Sequence, residues 1–257
     1  MTIIKSGAEI IGHRGSSHLA PENTLASFKL GWRETTTCEL DIRPTRDGRL
    51  LVIHDATTRR TTRTNLVVAK HPLRDLQQLD AGSWKGAQWK GLKLPSLAEV
   101  ISAMPAGKRL LIEIKAGPEV VPELARVIRA SGKARRLQLQ GFSFPACAAA
   151  KNALPAVPVY LLVAFRQNLL TRPSRRAMDQ AIAKAQAAGL NGVNVNDTSL
   201  LNPATVQKIH SAGLKVHVWT VDQVKAASRL LDAGVDGLIT NRPGWLKAQL
   251  ASCQNAP

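Results

Sequence analysis

The chain has 257 residues, 44% of them apolar; that length suits one large core, and an α/β barrel of roughly 250 residues folds as a single domain. No apolar run approaches the roughly 20 residues needed to cross a bilayer. Met1 to Gly12 also lacks the long apolar core and small-residue cleavage site of a secretory signal, so a soluble, cytoplasmic protein is expected. Cys38, Cys147 and Cys253 are too few and too scattered for a disulfide framework or a zinc site. The formal charge of +17 favours anionic partners without choosing among phosphates, nucleic acid and membrane surfaces.

In chain order, the first predicted strand lies near 9–13, where the apolar run Ile10-Ile11-Gly12 ends on His13. A helix over about 23–33 follows, then a strand near 37–42 that contains Glu39 and Asp41. Residues 43–95 break the rhythm with a hairpin signal at Asp47-Gly48, a Thr/Arg stretch and a Gly/Trp/Lys stretch, and read as an insertion after the second strand. Ser96-Leu97-Ala98-Glu99 has the form of a capping box in front of an apolar run. From there short β-rich runs alternate with helical ones: strands at 109–115, 136–142, 157–163, 192–196, 215–219 and 236–240, with Ala-rich helices around 145–153, 177–188 and 223–233. Gly189, Gly213 and Gly234 stand where helices end. Eight strands with intervening helices predict a TIM (β/α)8 barrel, one domain over 1–257 with an inserted subdomain at about 43–95.

Side chains at i and i+2 on a strand share a face, so Glu39 with Asp41, and Glu113 with Lys115, each point the same way. In a barrel, catalytic groups stand at the C-terminal mouth. A two-residue turn at Asp47-Gly48 would pair 46 with 49 and, counting outward, Asp41 with His54, bringing that imidazole beside the acids. Three crowded carboxylates repel one another unless a cation holds them, and all-oxygen donors suit Mg²⁺ or Ca²⁺. Such an ion offsets charge developing on a phosphodiester, with Lys115 and Arg14 adding positive charge for the same group. His13 and His54 can supply the base and the acid of a hydrolysis near neutral pH.

Several motifs run in order along most of the chain: His13-Arg14-Gly15, Pro21-Glu22-Asn23-Thr24, Glu39-Leu40-Asp41, His54-Asp55, Arg60-Thr61-Thr62, Leu79-Asp80-Ala81-Gly82-Ser83-Trp84, Leu94-Pro95-Ser96-Leu97, Glu113-Ile114-Lys115, Trp219-Thr220-Val221-Asp222 and Gly234 to Asn241. Their sum resembles the glycerophosphodiester phosphodiesterase family. That resemblance implies a TIM barrel with a subdomain after the second strand, and metal-dependent release of an alcohol from glycerophosphodiesters, leaving sn-glycerol 3-phosphate. It implies metal ligands at Glu39, Asp41 and Glu113, an acid/base pair at His13 and His54, and phosphate binding by Arg14 and Lys115. Attack by the substrate's own hydroxyl through a cyclic phosphate is one route it allows. Phe142 and Trp219 are expected as pocket walls. Gly141 departs from the family's usual Ser and is expected to alter a pocket wall; Arg63-Thr64-Asn65 departs at a surface loop.

The plainer readings apply elsewhere. Asn23 and Thr24 read as helix caps in a structural segment beneath His13, His217 as a core histidine, and His18, His71 and His210 as loop or surface residues. Arg59-Arg60, Arg135-Arg136 and Arg172 to Arg176 are dispersed in a chain poor in aromatics, which argues against nucleic acid. Trp84 and Trp89 with Lys85, Lys90 and Lys93 offer a lip for peripheral contact with a lipid headgroup. The competing functions are an enzyme acting on lysophospholipids, which needs an apolar channel for an acyl chain, and a non-catalytic polyanion-binding protein. Nothing in the pattern specifies an oligomer.

Overall fold

The structure, a computed structural model, describes residues 7–165 and 174–254. In chain order its strands and α-helices are β1 (Glu9–Gly12), α1 (Leu25–Glu34), β2 (Thr37–Pro44), β3 (Leu50–Val52), α2 (Arg59–Thr62), α3 (Leu73–Leu76), α4 (Leu97–Ala103), β4 (Arg109–Ile114), α5 (Val121–Ser131), β5 (Leu137–Gly141), α6 (Phe144–Ala153), β6 (Val159–Val163), α7 (Arg175–Ala187), β7 (Gly192–Asn196), α8 (Pro203–Ser211), β8 (Lys215–Trp219), α9 (Val224–Asp232), β9 (Gly237–Thr240) and α10 (Pro243–Gln254). Strands β1, β2 and β4 to β9 are parallel, and the β1–β2 pairing, Ile11 opposite Thr37, closes them into the expected (β/α)8 barrel. The predicted strands fall within two residues of those observed. Arg172 of the predicted basic stretch lies outside the described residues. Among the described residues, no helix is long and apolar enough to cross a membrane.

Alternation along each strand separates two environments. On β2, Cys38, Leu40 and Ile42 turn outward into the apolar layer under the helices, as do Leu110, Ile112 and Ile114 on β4. Glu39, Asp41 and Glu113 occupy the opposite face. Below them the barrel is filled by Ile11, Leu111, Tyr160 and Ile239, with Trp219 packed against that cluster. Local signals support this layout. Thr24 caps α1 by accepting from the Ser27 amide, Ser96 and Glu99 complete the expected capping box, and Gly189, Gly213 and Gly234 are left-handed after α7, α8 and α9.

β2 is eight residues long and overruns the barrel rim, and there β3 pairs with it antiparallel, Ile42 opposite Val52 and Pro44 opposite Leu50. This corrects the predicted register by one residue. The turn has three residues, not two: the Thr45 amide donates to Arg49 O at 2.9 Å, and Gly48 adopts φ 71°, the left-handed position of a bulged three-residue hairpin. Asp41 therefore lies opposite Ile53, whose amide donates to Asp41 O at 3.0 Å, and not opposite His54. His54 still reaches the mouth, because the chain leaves the sheet after Val52 and bends, and Arg43 Nε donates to His54 O at 2.7 Å. Beyond it, the inserted segment carries its own small apolar cluster of Leu51, Ile53, Val68, Leu76, Ala81 and Leu94.

Candidate active site

Glu39, Asp41 and Glu113 come from adjacent strands, Asp41 in register with Glu113, and each offers an oxygen within 4.8 Å of the others. They are 1%, 0% and 7% exposed, so three acidic groups share a nearly dry site. Arg14 Nε lies 3.3 Å from Asp41 Oδ2; Lys115 Nζ lies 3.3 Å from Asp41 Oδ1 and 2.6 Å from Glu113 Oε1. Two cations against three carboxylates leave the cluster short of positive charge. Burial, then the neighbouring Asp41 and Glu113, holds Glu39 well above the usual carboxylate range, and burial with Asp41 pushes Glu113 up to about 7. Burial raises Asp41 as well, but Arg14 and Lys115 outweigh it and keep that carboxyl below its ordinary value.

The donor set fits a hard divalent cation. Asp41 Oδ1 and Glu113 Oε1 are buried and meet only the Lys115 ammonium, and each carboxylate oxygen has a second lone pair with which to accept a ligand. The three grouped donors are all carboxylates, a set that matches Mg²⁺ or Ca²⁺ and disfavours zinc.

The two predicted histidines face the same cavity of about 150 Å³, which Arg14, Lys115, Glu39, Glu113, Phe142 and Trp219 also line. Asp41 lies behind this wall. His13 shares its Nδ1 with Asn241 Oδ1 at 2.7 Å, and His54 shares its Nδ1 with Asp55 Oδ1 at 2.7 Å. In both rings Nε2 is thus the nitrogen left for chemistry. Burial and then Arg14 lower His13 to about 4; burial also lowers His54, against the opposing pull of Asp41 and Asp55. Phe142 and Trp219 meet edge to face at 5.8 Å, and Lys115 Nζ stands 5.9 Å from the Phe142 ring.

Other residues around the site carry work that sequence reading assigned to caps or left without a role. Asn23, left-handed at φ 57° and buried, donates through Nδ2 to Asp41 Oδ2 at 2.9 Å. Asn tolerates that conformation better than most residues, which was the available signal. Arg60 from α2 binds Asp55 through Nε at 2.7 Å and Glu22 through both terminal nitrogens, while Glu22 also binds Arg14 at 2.7 Å. Asn194 Nδ2 donates to Gln140 Oε1, whose own amide nitrogen is 3.5 Å from Glu39.

Other expectations resolve as follows. Gly141 does not line the cavity: a Cβ there would meet Ile114 O at 3.3 Å and Cys147 Sγ at 3.4 Å, in the layer under α6, so its departure concerns packing and not a pocket wall. His217 is a core residue, 3% exposed and stacked on Tyr160 at 4.5 Å. The Trp84 ring packs with Lys85, whose ammonium donates to Ser17 O, so this part of the insertion is pinned to the β1–α1 loop.

Comparison with known proteins agrees with this geometry. The model of the glycerophosphoryl diester phosphodiesterase family matches residues 13–245. A glycerophosphodiester phosphodiesterase of Caldanaerobacter subterraneus is 32% identical over 243 residues, covering 92% of this chain and 95% of the relative. One from Bacillus subtilis is 31% identical, covering 91% and 83%. Among solved structures, an Oleispira antarctica phosphodiesterase in complex with the product sn-glycerol-3-phosphate superposes with a TM-score of 0.81 at 26% identity, covering 93% of this chain and 95% of that one.

Proposed function

The chain belongs to the glycerophosphoryl diester phosphodiesterase family, and from that premise we propose that it hydrolyses glycerophosphodiesters, the deacylated phospholipids, to sn-glycerol 3-phosphate and an alcohol. The observation that carries the reading is a buried trio of carboxylates with oxygens within 4.8 Å of one another, beside a single cavity that both imidazoles line.

Glu39, Asp41 and Glu113 would hold Mg²⁺ or Ca²⁺, which when bound supplies charge neutralisation for the phosphodiester. Arg14 and Lys115 line the cavity and add positive charge for the phosphoryl oxygens. One histidine takes the proton of the incoming oxygen through Nε2, and the other gives a proton to the departing alcohol oxygen as the P–O bond breaks. Phe142 and Trp219 give the mouth an apolar wall for the glycerol carbons. An acyl chain would need an apolar channel, whereas the residues that line this cavity are mostly charged or polar, which supports the deacylated substrate.

The test measures alcohol release from glycerophosphocholine and from the matching lysophospholipid, with chelator, then with Mg²⁺ or Ca²⁺ restored. Activity should be abolished by EDTA, return with the ion, and favour the deacylated substrate. His13→Ala and His54→Ala should each lose about 10²- to 10⁴-fold in kcat while remaining folded. Full turnover without metal, or near-normal rates in either variant, would overturn the assignment.

A further inference from the structure

The two histidines are oriented by different means. His54 meets a carboxylate, and Asp55 can only accept, so its partner nitrogen must carry the proton. His13 meets an amide, Asn241, 2.7 Å from Nδ1. An amide offers an oxygen on one side and an NH₂ on the other, so by itself Asn241 would allow either His13 tautomer.

What decides is a third residue. Asp222, on the loop after β8, receives three donors. Its Oδ1 accepts from Thr240 Oγ1 at 2.8 Å and from the Asn241 backbone amide at 2.8 Å, and its Oδ2 accepts from Asn241 Nδ2 at 2.6 Å. A carboxylate has no hydrogen to offer, so the nitrogen of the Asn241 side chain must face Asp222 and its oxygen must face His13. The Ser17 hydroxyl donates to the same Asn241 oxygen at 2.8 Å, which reinforces that orientation. His13 must then be the donor at Nδ1, leaving Nε2 unprotonated toward the cavity it lines.

We propose that Asp222 is a positioning residue that, through Asn241, dictates which ring nitrogen of His13 holds the proton. The consequence for turnover rests on the acid/base reading of His13; the tautomer itself does not. The arrangement leaves His13 facing a neutral amide while His54 faces a charged carboxylate, so the two imidazoles are oriented alike but electrostatically unlike. Burial and then Arg14 keep the His13 ring neutral, down to about 4, which agrees with a partner chosen for direction and not for charge.

Asp222→Asn gives a near-isosteric test. An Asn at 222 satisfies the Thr240 hydroxyl and the Asn241 amide with its oxygen, and then turns its NH₂ toward the Asn241 side chain. Asn241 must flip, present its own NH₂ to His13 Nδ1 and drive the ring proton to Nε2. Nitrogen-15 NMR of the metal-free protein at neutral pH reads this directly: the protonated-nitrogen signal of His13 should sit on Nδ1 in the parent and on Nε2 in Asp222→Asn. The His54 signals should stay in place. Should Asp222→Asn fail to fold, Asn241→Leu removes the acceptor, and His13 should then show no single tautomer. On glycerophosphocholine, kcat in Asp222→Asn should fall by about 10²-fold or more with KM within about twofold. A His13 that stays wholly Nδ1-protonated in Asp222→Asn, or in Asn241→Leu, overturns the proposal. A switched tautomer with unchanged kcat would leave the positioning intact and instead count against His13 as an acid/base group.

Discussion

Lowering the pH from about 8 to about 6 should weaken divalent-ion binding at least about tenfold, because protons and metal compete for the same carboxylates. In the metal-free protein Glu113 is pushed from 4.5 up to about 7, and at about 1.4 kcal/mol per pH unit that interval means roughly 3 kcal/mol favouring its protonated form. Glu113 is thus about half protonated near pH 7, about nine-tenths near pH 6 and about one-tenth near pH 8. Glu39, also held well above the usual range, adds to the protons a metal must expel, whereas Asp41 stays charged and adds none. Isothermal titration of the metal-free protein with MgCl₂ or CaCl₂, in buffers of different ionisation enthalpy, counts them. At about pH 7 at least about half a proton should leave per ion, and Glu113→Gln should lower that count by about half a proton. An affinity that is flat between about pH 6 and 8, with no proton release, would refute the description of the cluster as charge-starved.

The remaining predictions concern stability. Burial lowers His217 from 6.5 to about 4, so the unfolded chain takes up a proton in that window and the folded one does not. Stability from this source is complete above about pH 6.5 and is lost by about 3 kcal/mol as the pH falls through 4; His13 acts in the same window. Glu113 and Glu39, both raised, act in the opposite direction over this range, so the His217 contribution is read by difference. In urea unfolding, His217→Asn should gain about 3 kcal/mol relative to the parent as the pH falls from about 6.5 to about 4, and no relative gain would remove His217 from the account. In the inserted segment, Leu76→Ala truncates a fully buried side chain and should cost about 2–5 kcal/mol, read as a shift of the denaturation midpoint. A cost under about 0.5 kcal/mol would mean that this small cluster collapses freely around the gap.

Much of the barrel could be read from the chain because its local signals agree with one another. Apolar residues at alternate positions of 38–42 and 110–114 leave Glu39, Asp41 and Glu113 on the other face, so the acidic trio follows from period alone. The capping box at Ser96 and the glycines after α7 to α9 mark boundaries through short-range chemistry. What escaped is long-range or a matter of one residue. Asp47-Gly48 signals a hairpin equally well with a two- or a three-residue turn, and that single residue decides whether Asp41 faces His54 or Ile53. Gly141 was legible: with Leu137 and Leu139 outward, its side points to the helices. The contact of His13 with Asn241 spans 228 residues, and no local pattern encodes it.

Arg60 grips Glu22 on one side of the mouth and Asp55 on the other, and it stands on a four-residue helix in the segment between β2 and β4, which also carries a cluster of six apolar side chains. The inserted segment is therefore a latch and not an ornament. Any event that melts this patch, even transiently and with the barrel intact, releases the carboxylate behind His54. Attempts to shorten the protein by trimming this segment would remove one of the two imidazole anchors, while reinforcing it, for example with better-packed apolar residues, offers a way to lengthen the lifetime of the assembled site without touching any group that meets the substrate.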